Sequence, residues 1–201
     1  MTPTRIRVSA AAMSIAVACV ALAGSMRHSA DDQNASGTNP SSRRMADGKE
    51  WTTGNLNVEA SPSYCFEDAE RNCRRYGRLY TWQSAQRACL ALPGGWRLPT
   101  DDEWRQLAKR YGGVSADSAD QGRASFAALI SGGTSGFGAV LGGNRSAGKY
   151  ARLDEHGFYW TASDVDAATA PYYNFGQNGG ALHRQSDGEK EMAISVRCVR
   201  E

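Results

Sequence analysis

Asp101, Asp102 and Glu103 place three carboxylates in succession, and paired carboxylates are the usual equipment of general acid/base chemistry. Thr100 stands three residues before Glu103, which is also the spacing of a capping box. In that motif the threonine hydroxyl accepts the Glu103 N–H and the carboxylate accepts the Thr100 N–H. Acids in a first turn also complement the positive end of the helix dipole. The run is therefore expected to start a helix rather than to catalyse. His156 and His183 are isolated in sequence and read as surface or turn residues rather than ligands. Gly136-Phe137-Gly138 with Gly142 faintly suggests a phosphate-cradling loop, but neither flank reads as the strand and helix that such a loop joins. Ser135 lacks the G-x-S-x-G elbow of an esterase. No catalytic set and no cofactor is expected.

Cys65, Cys73, Cys89 and Cys198 are an even number once Cys19 is set aside, and two disulfides are the default reading for an exported chain. Three pairings are open. In one, Cys65 and Cys73 close a local hairpin across a short acidic loop, and Cys89 is left to meet Cys198 in the last apolar run, Ala193 to Val199. A metal site is not expected, because there is no CxxC pair and no matched histidine. Tyr172, Tyr173, Asn174, Phe175, Gln177 and Asn178 form the remaining group of interest. Tyrosine beside amide side chains is the composition of adaptable binding surfaces. Strand alternation cannot present all three aromatic rings on one side, so Tyr173 is expected to face away from at least one of its neighbours.

The elements that position these residues are legible from Tyr76 to Gly113. A strand precedes Thr81, which is placed to cap a helix with Trp82, Ala85, Ala88, Cys89 and Leu92 on one face. Pro93-Gly94-Gly95 ends it, Trp96 to Leu98 is briefly extended, and Pro99 pushes Leu98 away from helical angles. The second helix then carries Trp104, Leu107, Ala108 and Tyr111 to Gly112-Gly113. Ala124 to Ile130 reads as a short helix. The glycine-dense stretch 132–150 offers little to bury beyond Phe137, Val140 and Leu141, and is expected to be an irregular surface loop system. Phe158 to Thr161, Tyr172 to Phe175, Ala181 to Gln185 and Ala193 to Val199 read as strands of one small antiparallel sheet, with a hairpin turn at Asn178-Gly179. Trp51, Trp82, Trp96, Trp104 and Trp160 each sit in an apolar pattern and are expected in the core.

Arg5 and Arg7 precede an apolar run, Val8 to Ala23, that is short for a membrane span of about 20 residues. Residues 1–23 are expected to be a signal peptide cut after Ala21-Leu22-Ala23. The rival reading makes Ala16-Val17-Ala18-Cys19 a lipoprotein box with Cys19 lipidated, which is the one route by which a membrane is expected to hold the chain. Residues 24–46 are Ser-, Asp-, Asn- and Gly-rich and read as a flexible linker, leaving 47–201 as a single domain. Removing 1–23 takes away two arginines and no acids, so basic and acidic residues become equal in number. A nucleic-acid partner is therefore not expected. Arg71, Arg74, Arg75 and Arg78, interleaved with Glu67, Asp68 and Glu70, read as a solvated face with local ion pairs.

In combination, DGKEWTTGNLNV, YGRLYTW, GWRLPTDDEW, SGFGAVLGG, FYWTAS and the terminal SVRCV resemble the FISUMP family, the Fibrobacter succinogenes major paralogous domain. More distantly, RLPTDDEW and RCVR look like the formylglycine-generating sulfatase-modifying domains, and the cysteine order is similar to long-form C-type lectins. The resemblance implies an α+β, C-type-lectin-like fold, with two helices against small antiparallel sheets, long irregular loops and disulfides Cys65–Cys73 and Cys89–Cys198. Against it, the sulfatase-modifying domains carry a redox-active cysteine pair near the C-terminus where this chain has Cys198 alone. The Glu-Pro-Asn or Gln-Pro-Asp and Trp-Asn-Asp motifs of calcium-dependent lectins are absent too. The expected function is an exported, secreted, periplasmic or cell-surface binding or adhesion module with a protein or glycan ligand. An enzyme of unidentified type on a sulfatase-modifying-like fold, or a structural envelope component, is the alternative.

Overall fold

The computed structural model of the chain describes residues 1–2 and 40–201. Cys19, the apolar run expected to be a signal peptide and most of the expected linker lie outside them. In chain order the elements are β1 (Ser42–Arg44), β2 (Glu50–Thr52), β3 (Ser63–Tyr64), α1 (Glu70–Tyr76), β4 (Leu79–Tyr80), α2 (Trp82–Leu90), α3 (Asp101–Arg110) and α4 (Arg123–Leu129). They continue as β5 (Asn144–Ser146), β6 (Lys149–Ala151), β7 (His156–Trp160), β8 (Thr169–Gly176), β9 (Ala181–Glu189) and β10 (Val199–Arg200). The architecture is mixed α+β, with small antiparallel sheets and four α-helices among the described residues: the two expected main helices, the short one expected at Ala124 to Ile130, and α1 in addition. None of the described helices is long and apolar enough to cross a membrane.

Sheet β7-β8-β9 is the frame of the domain. Its strands pair Tyr159 with Tyr173 and Arg184, and Phe158 with Asn174 and His183. Directly paired residues share a face and neighbours along a strand alternate. One face therefore sends Tyr159, Tyr173, Phe175 and Leu182 into a core cluster with Trp51, Trp104, Leu107 and Phe137. The other sends Phe158, Trp160 and Ala170 against α2, Trp96, Leu98, Ile194 and Val196. Because β7 is buried on both faces it reads as a continuous aromatic run rather than an alternating one. Trp104 shows how tightly the first cluster is built: its ring stacks on Tyr173 at 5.0 Å between centroids and meets Trp51 edge-on at the same separation.

The capping box at the start of α3 forms, with Glu103 N–H donating to Thr100 Oγ1 at 3.2 Å and Thr100 N–H to Glu103 Oε2 at 2.8 Å. Thr81 occupies the N-cap of α2 but accepts no N–H there. Its hydroxyl instead meets Ser84 Oγ at 3.1 Å. The disulfides are Cys65–Cys73 and Cys89–Cys198. Between Cys65 and Cys73 the chain is not a simple hairpin loop: a single 3-10 turn, Phe66–Asp68, leads into α1.

Three expectations are corrected. The linker does not run to Ala46, because β1 pairs with β2, Arg43 opposite Trp51, and Met45 enters the first core cluster. Backbone pairing recruits a polar segment that composition alone assigns to solvent. The glycine-rich stretch is not wholly superficial either: Phe137 and Ala139 are fully buried, Ile130 bridges Ala139, and β5 and β6 form a hairpin. Finally, 193–199 is not a fourth antiparallel strand of the main sheet. Ser195 bridges Tyr159 in parallel, Ile194 bridges Tyr80, and β10 pairs with β2. The C-terminus thus threads between sheets and closes the domain against its own beginning. The Asn178-Gly179 hairpin joins β8 to β9 as expected, through the four residues between the pair Gly176 and Ala181.

Candidate functional site

Two of the three acids at the start of α3 are engaged by structure, whereas Asp102 is exposed with no side-chain partner among the described residues. Glu103 receives Arg97 through two bonds of 2.7 Å, with Lys49 at 3.3 Å. Burial pushes the Glu103 pKa up, but the Arg97 bonds, the Thr100 N–H and Lys49 outweigh it and hold it down at about 2. Asp101 accepts both Arg184 Nε, at 2.7 and 2.9 Å, and the Tyr173 hydroxyl, at 3.2 Å. Glu103 and Asp101 thereby fasten α3 to Arg97, to Lys49 and to β9.

Of the six residues singled out as a binding cluster, the structure divides three kinds. Tyr173 and Phe175 are fully buried, which removes them as contact residues. Being two apart they share the core face, where Trp104, Tyr159 and Phe126 cover them. Gln177 and Asn178 are exposed in the β8–β9 turn, while Tyr172 and Asn174 are half-buried on the opposite face of the sheet.

That opposite face is covered only in part. Its cover holds Trp160 and most of Phe158 but leaves Tyr172, Asn174, His156, His183 and Gln185 in partial contact with solvent. Phe158, Asn174 and His183 form one cross-strand row, and Trp160, Tyr172 and Gln185 the next. His156 stacks on Phe158 at 5.3 Å with the rings 2° from parallel, and Phe158 meets Tyr172 edge-on at 5.9 Å. The result is an aromatic floor edged by amides and imidazoles.

Polar groups on this face are only partly committed within the protein. His156 Nδ1 lies 2.8 Å from Asn174 Oδ1 and His183 Nδ1 lies 2.8 Å from Ser115 Oγ. The Tyr172 hydroxyl, Asn174 Nδ2 and the Gln185 amide make no hydrogen bond among the described residues. Burial raises the Tyr172 pKa, the nearby Asp187 charge raises it further, and Arg152 acts in the opposite sense. The Tyr172 ring is held from behind by Gly188, where a Cβ would lie 2.6 Å from Tyr172 Cδ1 and 2.9 Å from Trp160 Cζ3. Sequence reasoning passed over Gln185 and read His156 and His183 as isolated surface or turn residues, whereas the two histidines lie on β7 and β9. The signal that finds them is register: each sits beside Tyr172 or Asn174 only once the β7-β8-β9 pairing is known.

The arginines of α1 behave differently from expectation. Among the described residues Arg71, Arg74 and Arg75 form no ion pair with Glu67, Asp68 or Glu70, and Arg78 instead approaches Glu59 at 3.7 Å.

Fold and face together define a disulfide-stapled α+β domain with an incompletely covered sheet face. The chain belongs to the Fibrobacter succinogenes major domain family, whose model matches residues 34–200. No curated protein matches it.

Proposed function

We propose that the chain is an exported, non-catalytic binding module of the cell envelope or extracellular space, with a C-type-lectin-like arrangement and a ligand-binding face on β7-β8-β9. The two disulfides support export, since such bridges persist in oxidising compartments. The bridge order, one local pair and one joining α2 to Cys198 immediately before the last strand, supports the C-type-lectin-like reading.

The observation that carries the binding face is Tyr172. Its ring is half-buried on an aromatic floor and its hydroxyl has no protein partner among the described residues. A rigid ring beside amides able to donate and accept suits a glycan or polar protein surface. Arrayed neutral and acidic glycans, probed with the oxidised domain and with Tyr172→Ala, test this. Binding that the substitution lowers on the order of tenfold, with folding retained, supports the face. Binding equal in wild type and variant overturns it.

A further inference from the structure

The two disulfides are both largely buried but differ in the charges around them. Cys89 and Cys198 are wholly buried within the second core cluster. Cys65 and Cys73 lie beside Arg78, whose Nη1 is 3.5 Å from one sulfur and 3.6 Å from the other. Glu70 Oε2 stands 3.4 Å from Cys65 Sγ. A cleft of about 500 Å³, lined by Asn57, Val58, Glu59, Glu70 and Arg78, reaches the two charged side chains that touch the pair. Within the loop that this bridge closes, Glu67 and Asp68 both hold left-handed backbone angles, with φ of 55° and 52°. Neither is glycine, so the closed loop keeps a conformation that the open chain would relax.

The geometry points to Cys65–Cys73 as a site of thiol–disulfide exchange with a small external thiol. The external thiol loses its proton to solvent, and its thiolate sulfur attacks Cys65 Sγ, since Cys65 is 7% exposed against 1% for Cys73. A bond forms between the external sulfur and Cys65, the Cys65–Cys73 bond breaks, and its electron pair leaves on Cys73 Sγ. The external sulfur is oxidised as Cys73 is reduced, so electrons balance without another reagent. Cys73 emerges as a thiolate beside the Arg78 guanidinium. A neighbouring cation lowers a thiol's pKa, and a leaving thiol of lower pKa departs faster. Glu70 works against this, since its charge opposes both the incoming and the departing thiolate. Arg78 and Glu70 are therefore positioning charges of opposite effect on one exchange reaction.

The test uses the folded, oxidised protein, incubated with glutathione under native conditions, quenched with iodoacetamide and mapped by peptide mass. A glutathione adduct on Cys65 and alkylated Cys73, with Cys89–Cys198 intact and the circular dichroism unchanged, is the expected result. Arg78→Gln should slow the exchange and Glu70→Gln should accelerate it, each on the order of threefold per unit of change in the leaving thiol's pKa. Both bridges opening together, or adducts confined to Cys89 and Cys198, would overturn the proposal. So would a rate unchanged by Glu70→Gln, a substitution at an exposed position that leaves a decisive measurement even where Arg78→Gln does not fold.

Discussion

The guanidinium of Arg197 packs over the ring of Phe137, 4.5 Å from its centroid, and donates to the Phe137 carbonyl oxygen at 2.6 Å. The same group donates to Gly138 O, Thr52 O and Asn55 Oδ1. Arg197 is fully buried, and among the described residues no carboxylate pairs with it. Burial lowers its pKa, so the charge is sustained by oriented amide oxygens rather than by an anion. One side chain near the C-terminus thereby holds the glycine-rich segment and the turn after β2 in place, and the segment acquires a fixed path that its composition does not supply.

Arg197→Met should accordingly destabilise the domain by about 3 kcal/mol or more. It leaves several buried acceptors without a donor, and each unsatisfied group costs about 1–3 kcal/mol. Arg197→Lys should rescue little, since an ammonium cannot fork across acceptors spread around a plane. Urea midpoints of the two variants check this, and a wild-type midpoint in Arg197→Met contradicts it.

Glu103 sets an acid limit. Its folded pKa, about 2, lies below the unfolded carboxylate value, so its contribution is fully present above about pH 4.5. It is lost as the pH falls towards 2. Discounted for the solvent reaching this rim, the effect is on the order of 2 kcal/mol. Stability measured across that window should fall more steeply in wild type than in Glu103→Gln, and equal slopes would show that the carboxylate is not linked to folding.

How much of this was legible depends on how local the cause is. The α3 capping box and the strand–helix–extended–helix order around it, with Trp96 to Leu98 held by one Arg97–Val199 bridge rather than as a strand, follow from residues within a turn of one another. Their positions are as the spacing predicts. Arg197 is different: its acceptors come from Thr52, Asn55 and Phe137-Gly138, and no periodicity links them. The same limit explains β1, a polar strand recruited by pairing with Trp51, and Tyr173 and Phe175, whose aromatic character marked them as a group although alternation divides it. Of the proposed binding face only Tyr172 and Asn174 were visible as composition; its His156, His183 and Gln185 edge required the register.

The two bridges should differ in what they contribute to stability. Cys89–Cys198 spans 109 residues of sequence and Cys65–Cys73 spans 8. In the chain-entropy picture the first contributes about 4.7 kcal/mol and the second about 2.5. Replacing each pair with alanines should lower the thermal midpoint more for the long bridge. A larger drop for the short one would mean that the Phe66–Asp68 turn and α1 depend on their bridge more than loop entropy allows.

Tyr172 and Tyr173 offer the sharpest separation of binding from folding, because adjacent strand residues point to opposite faces. Tyr173 is fully buried, stacks on Trp104 and bonds Asp101 through its hydroxyl. Tyr173→Ala should therefore cost about 3–5 kcal/mol, as deletion of a large core aromatic does. Tyr172 is half-buried and its hydroxyl is free of protein partners among the described residues, so Tyr172→Ala should cost about 1–2 kcal/mol of stability and the larger share of ligand affinity. Gly188→Ala supplies an independent probe. Its new methyl would meet the Tyr172 ring at 2.6 Å and also Ala170 O and the buried Trp160 ring at 2.9 Å, so the Tyr172 ring must shift and stability should fall together with affinity. Denaturation and binding measured on the three variants check the set. Loss of binding in Tyr173→Ala at full folding, with Tyr172→Ala and Gly188→Ala unaffected, would place the functional surface elsewhere than on β7-β8-β9.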